Sequence, residues 1–388
     1  MLDRAEEGRE FVIGLRRRLH QHPELGGAEA ATSAMIAEQL GELGLQVRSS
    51  IGNAVLGVLP GGGDGPGILL RAELDALPIT EVPGRPHGSR VPGMMHACGH
   101  DGHMAILVGT ARLLATERRL LRGDVYFLFQ PAEEQLPDGG ARELIEAGVL
   151  EGMRLQLAAA LHLWPDLPLG TVGIPPGPVM AAGDIFRVTF SGNGGHAGQP
   201  HTAADTVAAA GYTAAALPGL VRRRVNALLP AVIAVGMVHG GASPNVLPAE
   251  ANLAGTTRYF EPGLGDTLER HIRDVAREAG ELYGCRADTQ YRHGYPPVVN
   301  HPDAARAVAR SAARVLGEGA VRTDLPPSTL ADDFSYIAQR VPAAYFWLGI
   351  ATPDHPTALH RPDFDLPDDA LVYGTAILTQ LCLDKLGA

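Results

Sequence analysis

The chain has 388 residues and a formal net charge of −11 at pH 7. That length provides for two or perhaps three domains with cores of their own, and the acidic balance argues against a nucleic-acid partner, because phosphate binding needs a basic surface. The three cysteines, Cys98, Cys285 and Cys382, are too few and too scattered for a disulfide framework, which points to a reducing, cytoplasmic setting.

The N-terminal stretch MLDRAEEGREFVIGLRRRLHQHPEL carries acidic residues where a secretory leader would be basic, and Phe11, Leu15 and Leu19 fall at helical spacing. It reads as an amphipathic helix. No run approaches the roughly 18 apolar residues that span a bilayer, so no membrane partner is expected. Apolar strand-like runs at 54–61, 67–72, 124–131 and 155–164 then alternate with helical patterns at 102–121 and 140–150. Glycine and proline clusters at 60–67 and 83–93 read as loops. Such alternation with buried strands predicts an α/β architecture, a sheet covered by helices.

From residue 183 the texture changes. DIFRVTFSG (184–192) alternates with period two, and a helix (203–217), two strands (231–241 and 250–260), a long helix (263–283) and a last strand (285–297) follow. That order is the order of a ferredoxin-like α+β unit. AAYFWLGI (343–350) restores the buried-strand pattern. The organisation expected is a discontinuous, helix-covered mixed-sheet domain of residues 1–182 and 297–388, interrupted by an inserted domain of residues 183–296.

HACGHDGH (96–103) crowds metal-capable groups. Cys98 and His100 are one residue apart, so both can point the same way, and thiolate and imidazole are good Zn²⁺ ligands. Asp101 fits an N-cap for the following helix as well as it fits a functional role. FLFQPAEEQ (127–135) ends an apolar strand with Glu133 and Glu134, where unpaired carboxylates are costly unless they bind a metal or share protons. Adjacent residues diverge, so one can ligate a cation while the other acts as a base toward water. His162 and His360 also follow strand-like runs, where open α/β sheets build their sites. Asp75, just past the 67–72 run, suits either a bond to the far nitrogen of a histidine ligand or a plain turn. Cys98, His100, Glu134, His162 and His360 exceed the needs of one four-coordinate Zn²⁺. Two ions sharing a ligand, about 3.5–4 Å apart, suit them better, with Glu133 left as the base.

RAELDALPI, MHACGHDGH, FQPAEE, LHLWPDLPLGT, SGNGGHAGQPH, SPNVLP and HRPDFD together resemble the amidohydrolase branch of the co-catalytic zinc aminoacylase and carboxypeptidase superfamily, over residues 11 to 385. The resemblance implies a two-metal catalytic domain with a lid that commonly forms a homodimer, or a tetramer built from it. It implies Cys98, His100, Glu134, His162 and His360 as metal ligands and Glu133 as general base. His196 would reach the neighbouring subunit's site, and Asn245 and Arg258 would hold the substrate's α-carboxylate, a task for which the arginine fork is suited. Taken alone, these three lid residues read as structural. Two positions depart from the family pattern: Glu73 stands where many relatives have aspartate, and LADDF (330–334) puts Asp332 where relatives have glutamate. Glu73 is not expected to remove a metal; Asp332 is expected to alter packing near the metal centre or the acyl pocket.

The expected function is hydrolysis of N-acyl amino acids at two divalent ions, Zn²⁺ first and Mn²⁺ or Co²⁺ as alternatives. A dipeptidase or carboxypeptidase would use the same site. Two other readings compete: a cysteine hydrolase with Cys98 as nucleophile, and a catalytically silent protein that binds metal or acyl-amino acid.

Overall fold

The apolar runs of the sequence become neighbouring parallel strands. In the computed structural model, which describes residues 1–48, 51–353 and 358–387, Gly123–Gln130, Gly65–Glu73, Leu155–Pro168 and Ala343–Ala351 lie side by side and parallel at the centre of an eight-stranded sheet. Val55–Leu59 extends one flank antiparallel, and short strands complete both edges. The sheet is therefore mixed.

Continuous apolar runs arise because both faces are covered. Ile68, Leu70 and Ala72 join the core beneath the helices Arg9–Gln21, His100–Glu117 and Asp368–Leu386, while Leu69 faces the opposite core. Phe127 and Phe129 likewise oppose Leu128. Each such side chain, fully removed from water, contributes about 1.5–3 kcal/mol.

The chain leaves this body at Ala182–Ser191 and returns through Arg286–Tyr295. Between them it forms a four-stranded antiparallel sheet in the order 231–240, 250–259, 182–191, 286–295, with helices Thr206–Arg224 and Leu264–Leu282. This is the ferredoxin-like order. Phe186, Val188 and Phe190 meet Leu268, Ile272 and Ala276 in a separate core, which accounts for the period-two pattern of that strand. Among the described residues, no helix is long and apolar enough to cross a membrane.

One local expectation is corrected. The helix after the histidine-rich turn begins at His100 and is preceded by Gly99 in the left-handed region, φ 88°. Asp101 lies inside its first turn and is not the N-cap. It is fully buried and accepts from Arg16 Nε at 2.7 Å and His20 Nδ1 at 2.8 Å.

Candidate metal centre

Five chain segments converge at the carboxyl edge of the parallel strands, the position where open α/β sheets bind ligands. The turn before helix His100–Glu117 supplies Cys98 and His100, the end of Gly123–Gln130 leads to Glu133 and Glu134, and Leu155–Pro168 supplies His162. Asp75 follows Gly65–Glu73, and His360 comes from the loop before the last helix. Two non-glycine residues among those described have positive φ, Ala132 at 57° and His360 at 61°. Both belong to this cluster. A side chain in that region costs about 1–2 kcal/mol, and such strain persists where surrounding contacts over-determine it. Ala132 is held by its N–H to Glu29 Oε1, 2.8 Å, and its carbonyl to Gly140 N, 3.1 Å. His360 is held by its N–H to the Ala97 carbonyl, 2.8 Å.

Ring tautomers are set by backbone acceptors. His100 Nδ1 donates to the Asp75 carbonyl at 2.8 Å, and His162 Nδ1 donates to the Leu163 carbonyl at 2.8 Å. The Nε2 lone pairs are thereby turned inward. The carboxylate of Asp75 lies farther from His100, at 3.4 Å, and its Oδ2 accepts from the Glu134 N–H at 2.9 Å. Asp75 thus touches both His100 and Glu134, with its main chain making the closer contact to the histidine. His103 is closed to ligation: it donates to Glu73 Oε2 at 2.7 Å and accepts from Leu163 N at 2.9 Å.

The candidate donor groups include two trios that share Cys98, while Glu133 groups with His100 and Glu134 and with Asp332 and Asp333. Ligand atoms of Cys98, His100 and His162 lie within 4.8 Å of one another, and so do those of Cys98, Glu134 and His360. Cys98 Sγ is 3.5 Å from His162 Nε2, and His360 Nε2 is 3.0 Å from Glu134 Oε1. His100 Nε2 is a buried atom without a hydrogen-bond partner among the described residues, whereas Glu134 Oε1, also buried, meets the His360 ring as an ion pair. Glu133 Oε2 stands 4.0 Å from His100 Nε2 and is buried.

The electrostatics favour a cation. Burial pushes the Cys98 thiol well up, and Glu134 and Glu133 push it further. Burial, then Asp332 and Glu134, lift Glu133 well above the usual carboxylate range. Burial opposes charge on His100, but Asp75 and Glu73 outweigh it and raise the imidazole to about 10. Proton affinities raised in this way fall when a divalent cation stands among the groups. The orphaned His100 Nε2 and the thiol, imidazole and carboxylate groups around it form a donor set that Cys98, His100, Glu134, His162 and His360 could offer to divalent cations.

A cavity of about 150 Å³ opens on this cluster. Leu136, Met180, Leu330 and Leu359 give it apolar walls, and Arg258 reaches it from the inserted unit. Arg258 forms no ion pair among the described residues; it donates to the Thr257 carbonyl at 2.9 Å and to Thr256. His196 and Asn245 do not line the cavity. They lie together, exposed, where Gly195–His196 pairs with Val246–Leu247, and the Ala197 N–H donates to the Asn245 carbonyl at 3.0 Å.

Several participants have no prominence in the sequence. Arg71, fully buried in a strand, holds Glu73, Asp332 and Asp333. Its only signal is a charge inside the apolar run GILLRA. Tyr295 lines the cavity and nothing in GYPP announces it.

The sequence pattern of peptidase family M20/M25/M40 matches residues 69–384. N-acetylcysteine deacetylase of Bacillus subtilis (strain 168) is 37% identical over 385 residues, covering 99% of this chain and 98% of that protein. N-acyl-L-amino acid amidohydrolase of Geobacillus stearothermophilus is 38% identical over 300 residues, 77% of this chain and 80% of that protein. The crystal structure of the Bacillus subtilis YXEP protein, a dinuclear metal-binding peptidase, superposes with a TM-score of 0.84 at 33% identity, covering 98% of this chain and 99% of that one. With a match spanning most of its length and a relative at 37% identity aligned over 99% of it, this chain belongs to peptidase family M20/M25/M40.

Proposed function

We propose that the protein is a metal-dependent amidohydrolase that cleaves the amide bond of N-acyl amino acids. The observation that carries this reading is the convergence of Cys98, His100, Glu134, His162 and His360 into two donor trios with a spare buried carboxylate, Glu133, beside them. Names of relatives, a deacetylase and an N-acyl-amino-acid amidohydrolase, support the substrate class.

In this reading the five donors hold two divalent cations, with Zn²⁺ favoured by the thiolate and imidazoles and Mn²⁺ or Co²⁺ as alternatives. When bound, such a pair supplies Lewis acidity and acidifies water. Glu133 accepts the proton of the attacking water and delivers it to the leaving amine, a role for a buried carboxylate that stands beside the two trios without belonging to either. Asp75 positions His100 and the Glu134 backbone. Arg258, which forms no ion pair among the described residues, takes the substrate's α-carboxylate in a bidentate grip. The exposed pair His196 and Asn245 serves the site of a second copy in a homodimer, His196 steadying the oxyanion. The three free cysteines accord with a reducing, cytoplasmic location.

The test is a hydrolysis screen of N-acetyl, N-benzoyl and indole-acetyl amino acids, with dipeptides alongside, each in Zn²⁺, Mn²⁺ and Co²⁺. Release of the free amino acid from at least one acyl series, abolished by a chelator, is expected. Hydrolysis that survives the chelator returns the choice to Cys98 as nucleophile. Absence of turnover across the panel with metals loaded supports a silent binding protein.

A further inference from the structure

The loop that carries Glu133 and Glu134 is gripped by the two chain crossings into the inserted unit. Tyr295, the last residue of the returning strand, is buried and donates its hydroxyl to the main-chain carbonyl of Glu133 at 2.5 Å. It pairs with Gly183 of the outgoing strand, at a shift in register after Arg292.

The same loop meets both crossings elsewhere. A Cβ built on Gly183 would lie 3.3 Å from Leu136 Cδ1, and one built on Gly294 would lie 2.9 Å from Leu136 Cδ1 and 3.1 Å from Pro137 Cβ. Both glycines therefore leave room in which the loop nests. A Cβ on Gly139, whose φ is 64°, would stand 2.7 Å from both the Tyr295 ring and Asp333 Oδ2. At the rim, Arg292 Nη2 meets Asp138 Oδ1 at 2.6 Å.

We infer that Tyr295 is a positioning residue that ties the attitude of the inserted unit to the aim of the Glu133 carboxylate; this rests on Glu133 being the general base. The mechanical route is short. Residue 132 sits in a strained backbone region immediately before Glu133, so the Glu133 peptide is fixed on one side by the Glu29 contact and on the other by the Tyr295 hydroxyl. A turn of the inserted unit about its paired crossings moves the phenol and, through the carbonyl, the base. Reacting groups must be aligned closely for proton transfer, so release of that carbonyl slows the chemical step and leaves substrate capture intact.

Tyr295→Phe removes only the hydroxyl. Expected is a fall in kcat of tenfold or more, with KM within twofold, metal content unchanged and the melting temperature close to that of the parent. Wild-type kcat in a folded, metal-loaded Tyr295→Phe enzyme overturns the inference, as does a kcat loss that merely tracks lost metal. If Tyr295→Phe does not fold, Arg292→Ala decides, because it releases Asp138 of the loop from the returning strand at the exposed rim: a kcat loss at constant KM supports the coupling and an unchanged kcat overturns it. Glu133→Gln is measured alongside. An active Glu133→Gln enzyme defeats the base assignment itself, whereas an inactive one beside a fully active Tyr295→Phe defeats only the coupling.

Discussion

Glu73 and Asp332, 259 positions apart in the sequence, address the same nitrogen: Arg71 Nη1 contacts Glu73 Oε1 and lies 3.5 Å from Asp332 Oδ2. These are the two motif positions at which the resemblance marks a departure from the family pattern. One carboxylate is longer by a methylene and the other shorter, and they meet on one buried guanidinium. Asp332 also lines the cavity, where its effect on packing was expected, whereas Glu73 turns to His103 and Arg71.

The two departures should therefore compensate. Glu73→Asp and Asp332→Glu, made singly, each leave Arg71 misfitted and should cost about 1–3 kcal/mol. The double variant should recover at least about 1 kcal/mol of the summed loss, as coupled neighbours do. Urea unfolding of the four proteins measures this, and strict additivity refutes the coupling.

Arg16 and Asp101 form a second buried pair, which His20 and Asp365 extend. Arg16→Met leaves the buried Asp101 carboxylate with His20 but without its guanidinium partner and should destabilise the fold by about 2–4 kcal/mol. Denaturant unfolding at neutral pH provides the check.

The same pair sets a pH dependence. Burial alone would raise Asp101, but Arg16 and His20 hold it well below the usual carboxylate range. A depressed folded-state value means the unfolded chain binds the proton first as pH falls. The stabilisation is thus complete above roughly pH 5 and is lost as pH drops through and below the ordinary aspartate value of about 4. Asp101→Asn should be less stable than wild type at pH 7, with the difference narrowing on acidification. A gap that stays constant down to pH 3 would contradict this.

Removal of divalent ions should abolish turnover and lower the melting temperature by several degrees, since a ligand bound only to the folded state stabilises it by mass action. Elemental analysis should find two ions per chain in the loaded enzyme and fewer in Cys98→Ser, which loses the donor common to both trios.

For substrate capture, Arg258→Lys replaces a fork by a point charge. KM should rise about tenfold or more with kcat less affected. Mixing a His196→Ala protein with Glu133→Gln should restore partial activity in mixed dimers, each intact site drawing one residue from either copy. Confirmed heterodimers that remain inactive would rule out a shared site.

Much of this architecture is legible in the order of residues. Buried parallel strands announce themselves because alternate residues such as Leu69 and Leu70 enter different cores, so the run stays apolar throughout. The candidate ligands are legible because thiol, imidazole and paired carboxylates at strand ends are chemically conspicuous. Arg16 and His20 are not. On a helix whose Leu15 and Leu19 point inward they read as a solvated face, yet both are fully buried. Their partner Asp101 lies 85 and 81 residues away, a distance that no local pattern reports. Asp101 itself mimics an N-cap for the same reason. His196 and Asn245 carry no local signal of function, and in a single chain they stand apart from the cavity.

The outgoing and returning strands of the insertion are partners of each other, Gly183 opposite Tyr295, and just outside them Met180 opposite Val298. The entry and exit points are adjacent, so a short splice between them could close the cut without disturbing the parent sheet. Every candidate cation ligand, Cys98, His100, Glu134, His162 and His360, lies on the parent side of that cut, while Arg258, His196 and Asn245 lie on the other. Selectivity could thus drift by exchange of a cassette while the inorganic centre is inherited whole.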